Sequence, residues 1–388
     1  MTIEMSHPTS ALTIVETAGA TYQRAELPVR IQAAYTTRFV SKALEADRSA
    51  FHLASGPTVT PQAGDVVVAR VSEILNHKRV ETPESRKAIL FPGAIILLAY
   101  GHRYAADQFL AHVPDSLEPC HLVAAGGVAG TVTVQHANMD DPTRIEPLGL
   151  LADESGIVNL CRFAPYSLDP VPALGSPAGE LDAALPGRPT VVAVLGTSMN
   201  SGKSTAMATL INGLTNAGLK VSAGKSTGTG AGNDPMIYVD GGAAKVLDFT
   251  DFGYPTTFKL DFEQVRSLTV NLVDAMAETD TDVVIVEIAD GVYQGETARL
   301  LRDPLFQSVV DRVVFAAGDA LGAVGGVREL QGAGLDVAAV SGVLTSSPLA
   351  TAEAHEVLAC LGVPVIDTYE LTSATVATAL LPQDWRTS

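Results

Sequence analysis

One stretch limits what this chain can be. Residues 191–195, Val-Val-Ala-Val-Leu, form a short apolar run of the kind that is buried on both faces of a parallel sheet. Gly196, Thr197, Ser198, Met199, Asn200, Ser201, Gly202, Lys203, Ser204 and Thr205 follow without a break. Residues 202–217 then read as an amphipathic helix, with Met207, Leu210, Ile211 and Leu214 on one face and Gly218 where a C-cap glycine belongs. Strand, glycine-rich loop and helix in this order make a P-loop, the Walker A arrangement. The common motif has four residues between its first glycine and the Gly-Lys pair; here five separate Gly196 from Gly202. The chemistry is complete all the same. Backbone N–H groups of the loop face a phosphate, and the helix presents its positive N-terminal end. Lys203 is expected on the β- and γ-phosphates and Ser204 on magnesium, so the expected cofactors are ATP and Mg2+.

Two further places complete a phosphoryl-transfer site. Lys225 ends the next apolar run and opens a flexible loop, Ser226-Thr227-Gly228-Thr229-Gly230. A lysine there can hold a transferring phosphoryl group or an anionic substrate. Glu287 ends the β-branched run of residues 283–286, with Asp290 just beyond. A carboxylate at the end of a buried strand beside a P-loop suits a magnesium ligand, and Glu287 is the better placed of the two. Asp234, Asp248 and Asp251 lie between these places, and Asp234 is favoured as a further metal ligand because it follows the lysine loop most closely. The expected catalytic residues are therefore Lys203, Lys225 and Glu287, with Ser204, Glu287 and Asp234 on the metal.

These segments carry a family resemblance. The five-residue spacing before Gly202, the lysine loop at Lys225, the strand end at Glu287, and residues 315–322 followed by 334–344 are similar to dethiobiotin synthetase and its P-loop relatives. The resemblance covers residues 190–370. It implies a mostly parallel sheet, Lys203 on phosphates, Ser204 and Glu287 on magnesium, and Lys225 on a substrate carbamate and the γ-phosphate. More loosely, the domain order resembles P-loop proteins like D-glutamate N-acetyltransferase, which implies that such a scaffold can serve acyl transfer. Residues 1–185 have no counterpart in dethiobiotin synthetase, and residues 288–297 replace its glycine loop.

The chain is long enough for two domains at 388 residues, and 47% hydrophobic content supplies real cores. From residue 190 strands and helices alternate, the pattern of a parallel sheet covered on both faces. Runs at 66–71, 88–91, 94–100, 122–125 and 131–135, punctuated by glycine, make the earlier part β-rich, in the manner of a small barrel, with a helix near 37–46. Prolines at 170, 172, 177, 186 and 189 mark a connector. The expected organisation is α/β: a β-rich N-terminal domain over residues 1–165, a Pro/Gly linker over 166–189, and a P-loop domain over 190–388.

Net charge of −18 disfavours nucleic acid and anionic membrane surfaces, although a local basic pocket can still take an anion. Three scattered cysteines, Cys120, Cys161 and Cys360, read as buried small hydrophobes in a reducing compartment. No signal peptide or long apolar span is apparent, so a soluble, cytoplasmic protein is expected. In the N-terminal half, Asn76-His77-Lys78-Arg79 and Gly101-His102-Arg103-Tyr104 are basic clusters that solvent, an anionic substrate or the other domain could occupy.

Together these features point to ATP-dependent phosphorylation, or phosphorylation-driven ligation, of a small anionic metabolite. Two alternatives stand beside it: an acyltransferase that binds coenzyme A phosphates in the P-loop, and a nucleotide-switch ATPase or GTPase. The expected partners are a small metabolite and a second copy of the chain, as in a dimer, with no nucleic acid and no membrane.

Overall fold

The computed structural model describes residues 13–17, 20–173, 188–277, 280–383 and 385. They form two compact units: residues up to 102 with 111–164, and residues 103–110 with those from 165 onward. Residues 174–187 of the expected connector, and 1–12 of the polar N-terminus, lie outside the described residues. Of the connector that is described, Tyr166 stacks on Phe252 with ring centroids 5.3 Å apart, and Val171 packs with Val270 and Leu305.

The first unit is built on antiparallel pairing. Its longest strand, Thr143–Asp153, pairs with Val66–Glu73, with His52–Ser55 and with Cys120–Ala124. Val66–Glu73 pairs in turn with Ile95–Tyr100, which runs parallel to Val128–Gln135, which returns to Cys120–Ala124. The pairings therefore close on themselves as a small barrel, which leaves these strands without an open edge. Side chains alternate across a strand. Val67, Ala69 and Val71 enter one core with Ile96, Leu98, Leu122 and Ile145, whereas Val66 and Val68 enter another with Leu97 and Ala99. The helix Arg38–Ala46 covers that second core through Val40 and Leu44.

In the second unit the strands are β1 (Thr190–Gly196), β2 (Val221–Lys225), β3 (Lys245–Asp248), β4 (Val283–Glu287), β5 (Arg312–Ala316) and β6 (Val337–Ser341). They form one sheet in the order β3-β2-β4-β1-β5-β6, every pairing parallel. All seven residues of β1 are buried. Val191, Ala193 and Leu195 face one core and Val192 and Val194 the other, so helices must cover both faces. One of them is α1 (Lys203–Asn216), whose Met207, Leu210, Ile211 and Leu214 fill the core on the Val192 side.

At three places the chain departs from what its local pattern suggests. The run at 337–344 leaves the sheet at Ser341, because Gly342 turns with φ +98° and Val343 N–H donates to the Ser201 carbonyl at 3.0 Å. The run at 363–366 makes a single bridge, Val340 with Val365; Pro364, lacking an N–H, can contribute only its carbonyl. The turn-like Gly232-Asn-Asp-Pro opens α2 (Asn233–Gly241) instead, since proline is tolerated in a first helical turn.

Candidate functional site

Parallel sheets collect their functional groups at the C-terminal ends of the strands. Here β1, β2 and β4 are neighbours, and their ends deliver Gly196, Lys225 and Glu287. The register sets Lys225 directly beside Glu287.

The loop after β1 is shaped for close approach of a ligand. A side chain on Gly196 would lie 2.3 Å from Ser201 Oγ and 2.8 Å from Lys203 Cγ. Gly202 caps α1 with φ +94°, a left-handed conformation that side chains disfavour. Thr197 N–H donates to Ala316 O at 3.0 Å, tying the loop to β5. Ser198 Oγ donates to Met199 O at 3.1 Å, and Asn200 takes φ +61°. Lys203 Nζ turns back to the Ser198 carbonyl at 2.7 Å. Thr205 lies in the first turn of α1, where its carbonyl accepts from Thr209 Oγ1 at 3.0 Å. A strand ending in a glycine-rich cradle, closed by a lysine on the first turn of a buried helix, decides the architecture. The second unit has a P-loop NTPase fold.

Around this P-loop the polar side chains converge. Ser204 Oγ donates to Glu287 Oε2 at 2.9 Å, and Tyr238 Oη donates to the same oxygen at 2.7 Å. Lys225 Nζ pairs with Asp234 Oδ2 and lies 3.5 Å from Glu287 Oε1. Burial pulls the Lys203 ammonium down, against the charges of Glu287 and Asp290. Lys225 is also desolvated, but Asp234 and Glu287 outweigh this and hold its charge well above the ordinary value. Burial opposes ionisation of Glu287, yet Lys225, Lys203, Tyr238 and Ser204 together hold it below the ordinary carboxylate range. Asp290 is pushed up, chiefly by burial, with Lys225, Lys203 and Arg103 acting in the other direction.

A magnesium nucleotide fits this set. Hard oxygens from Ser204 and Glu287 stand together at the mouth of the P-loop, the donor chemistry magnesium requires. Among the described residues, the buried Ser201 hydroxyl has no hydrogen-bond partner, so it is available to a phosphate oxygen. Among the described residues no cluster of three or more His, Cys, Asp or Glu stands ready as a metal cage.

Of the three aspartates between the lysine loop and Glu287, the side chain of Asp234 joins Lys225, while those of Asp248 and Asp251 cap a short 3-10 turn. Asp290, Tyr238 and Arg103 join the site beyond the expected catalytic and metal-binding residues. Tyr238 carries no sequence signal, since it sits mid-helix in an undistinguished run. Arg103 had one, as part of the basic cluster after a strand. Residues 103–110, flanked in sequence by the first unit, cluster with the second. Within this hairpin Asp107 Oδ2 accepts a hydrogen bond from Asn200 Nδ2 of the P-loop. The Gly126-Gly127 turn of the first unit packs against Ala34 and Thr36, where a side chain on Gly127 would lie 2.2 Å from Ala34 Cβ.

No family model matches the chain, and no curated protein matches it. Solved structures similar to it include the signal recognition particle receptor FtsY from Elizabethkingia anophelis in complex with GDP, at 18% identity and a TM-score of 0.35 over 50% of this chain and 65% of that one. Another is the signal recognition particle 54 kDa protein from Aeropyrum pernix K1 in complex with GDP, at 17% identity and a TM-score of 0.36 over 53% of this chain and 49% of that one. FtsY from Thermotoga maritima matches at 16% identity and a TM-score of 0.35, over 53% of this chain and 73% of that one. The chain thus spans less than two thirds of the first of these.

Proposed function

We propose that the second unit binds a magnesium nucleoside triphosphate and cleaves its terminal phosphoanhydride, with water as the acceptor. The observation that carries this is the pairing of Ser204 and Glu287 at 2.9 Å beside Lys203 at the mouth of the P-loop. The loop N–H groups and Lys203 bind and orient the phosphates. Magnesium, when bound, would neutralise charge on the phosphates, and Ser204 and Glu287 would hold it. Asp290 sits where it feels Lys203, Lys225 and Arg103 at once, and it orients the attacking water. A bond from the water oxygen to the γ-phosphorus forms as the bridging bond breaks. The diphosphate departs with the electron pair, and the water proton passes to the released phosphate or to Asp290. The reading of water as acceptor rests on Lys225: its charge is already shared by Asp234 and Glu287, which leaves it a poor hold for an anionic acceptor in addition to the γ-phosphate.

A second reading, transfer to a small metabolite, is favoured by one observation. A cavity of about 440 Å³ lies beside Phe258 and Gln294, lined by Tyr104, Phe262, Tyr293 and Arg299. It is within the size range of small-molecule sites.

Calorimetric titration with ATP, GTP and coenzyme A, each with and without magnesium, tests the proposal together with release of inorganic phosphate. Magnesium-dependent triphosphate binding, weakened by about tenfold to hundredfold in Lys203→Ala, and phosphate release without any added metabolite are the expected results. Tight binding of coenzyme A without magnesium would overturn the proposal in favour of acyl transfer. Triphosphate binding with diphosphate release only when a metabolite is added would favour kinase or ligase chemistry.

A further inference from the structure

We propose that Arg103 is a third phosphate-binding cation of this site, carried by the 103–110 hairpin and stabilising charge on the transferring γ-phosphoryl group; this rests on the phosphoryl-cleavage reading above.

The hairpin is made of two short strands, Arg103–Tyr104 and Phe109–His112. Between them Gln108 N–H donates to Ala105 O at 2.9 Å and Ala105 N–H donates to Phe109 O at 3.0 Å, so the tip is a closed turn. Three contacts dock it on the nucleotide-binding machinery. Asp107 accepts from Asn200, a residue of the P-loop itself. The Tyr104 ring packs on Phe258 with centroids 5.5 Å apart. Tyr104 also lines a small enclosed space with Thr227, Gly228 and Asp290, the segments that follow Lys225 and Glu287.

Arg103 stands at the base of this hairpin, close enough to Asp290 and Asp107 for their charges to act on it. It is only 6% exposed, and its Nη2 donates to Gln108 Oε1 at 2.8 Å, which fixes one edge of the guanidinium. Asp290 and Asp107 are the acidic groups whose charges favour it, while burial pulls it down to about 10. An arginine is seldom buried this deeply unless its charge is matched. Asp290 in turn feels Lys225, Lys203 and Arg103. Three cations therefore act on one carboxylate, and the residue after it, Gly291, lies against Thr197 of the P-loop, where a terminal phosphate would add negative charge. An incoming γ-phosphoryl group offers those cations a stronger anion than Asp290 does. The planar fork of arginine suits the equatorial oxygens of that group, and its charge counts most as the bridging bond breaks. The link from Asp107 to Asn200 couples the position of this arginine to the conformation of the loop that holds the nucleotide.

The test uses the full chain as wild type, Arg103→Ala, Arg103→Lys and Lys203→Ala. Readouts are phosphate release, affinity for Mg-GDP and Mg-ADP, trapping of either diphosphate with aluminium fluoride, and thermal melting. The expected result for Arg103→Ala is a fall in turnover of roughly 10³-fold, as for arginines that act on transferring phosphoryl groups. Diphosphate affinity should stay within about threefold, because the loss is confined to the transition state. Fluoride trapping should disappear. Arg103→Lys, which keeps charge without the fork, should recover part of the rate. Unchanged turnover in Arg103→Ala would overturn the assignment. So would parallel losses of diphosphate affinity and melting temperature in both variants, which would mark Arg103 as a folding residue. Wild-type protein that binds no nucleotide would instead sink the phosphoryl-cleavage reading. Inorganic tripolyphosphate then decides on Arg103 separately: weaker binding by Arg103→Ala retains it as a phosphate ligand, and equal binding removes it.

Discussion

Lys225 and Glu287 end neighbouring parallel strands in direct register, with Nζ 3.5 Å from Oε1. Glu287 is 2% exposed at its side chain and Lys225 12%, so both charges are largely withdrawn from water. Asp234 shares the lysine, and Ser204 and Tyr238 share the other oxygen of the glutamate. This is a network in which each charge is justified by the others.

Removing the lysine should therefore be costly. Lys225→Met leaves Asp234 and Glu287 without the lysine they share, and a loss of about 3 kcal/mol is expected, as for one broken partner of a buried pair. Urea denaturation measures it. The double variant Lys225→Met/Glu287→Gln should recover part of the loss, and equal instability of single and double variants would speak against the network.

The same network sets an acid limit. Glu287 titrates below its ordinary value of 4.5 in the folded chain. Its contribution to stability is thus present above that value and lost as pH falls through the lowered one. Asp290 works in the opposite sense, since its carboxyl is raised: its contribution is present below 3.8 and disappears as pH rises through the raised value. Melting temperature followed from about pH 7 to about pH 3 should drop more steeply in the wild type than in Glu287→Gln. Matching profiles would remove Glu287 from the account.

Lys203→Ala should cost triphosphate affinity by about tenfold to hundredfold, the worth of one or two charged hydrogen bonds. Ser204→Ala should leave nucleotide affinity without metal nearly unchanged, while the magnesium needed for half-maximal turnover rises by about tenfold or more. Titrations of nucleotide and magnesium read the two effects apart.

Gly196→Ala puts a methyl 2.3 Å from Ser201 Oγ and 3.0 Å from the Ala316 carbonyl. Overpacking of this kind costs about 1–3 kcal/mol. The loop must also widen, so nucleotide binding should weaken together with the melting temperature. A variant that melts like the wild type and binds as well would show that the loop tolerates the wider path.

Much of the P-loop unit is legible from local pattern. Residues 191–195 are apolar throughout and lie in a strand buried on both faces; Phe262–Ala277 is helical over the span that its periodicity marks. The lysine at the end of β2 and the glutamate at the end of β4 also stand where the run lengths imply. The run at 337–344 reads as a strand to its end but stops at Ser341, because Gly342 bends the chain against the Ser201 carbonyl, a contact with a residue far away in sequence. Asn233–Gly241 is not legible from local pattern, because Gly-Asn-Asp-Pro is as good a turn as a helix start, and packing of Tyr238 into the core settles which.

What the sequence alone determined is the set of parts: a phosphate loop with Lys203 and Ser204, a β-rich first half, a lysine and a carboxylate at strand ends. Those follow from short-range periodicity and from the few residue types that can do the chemistry. What only the tertiary structure decided is which parts meet. Strand order brings Lys225 beside Glu287, helix packing aims Tyr238 at the same carboxylate, and the 103–110 hairpin docks Asp107 on Asn200 across ninety-three positions of sequence. Contacts over that separation depend on the summed packing of the whole sheet and its helices, a quantity that no local window of residues contains.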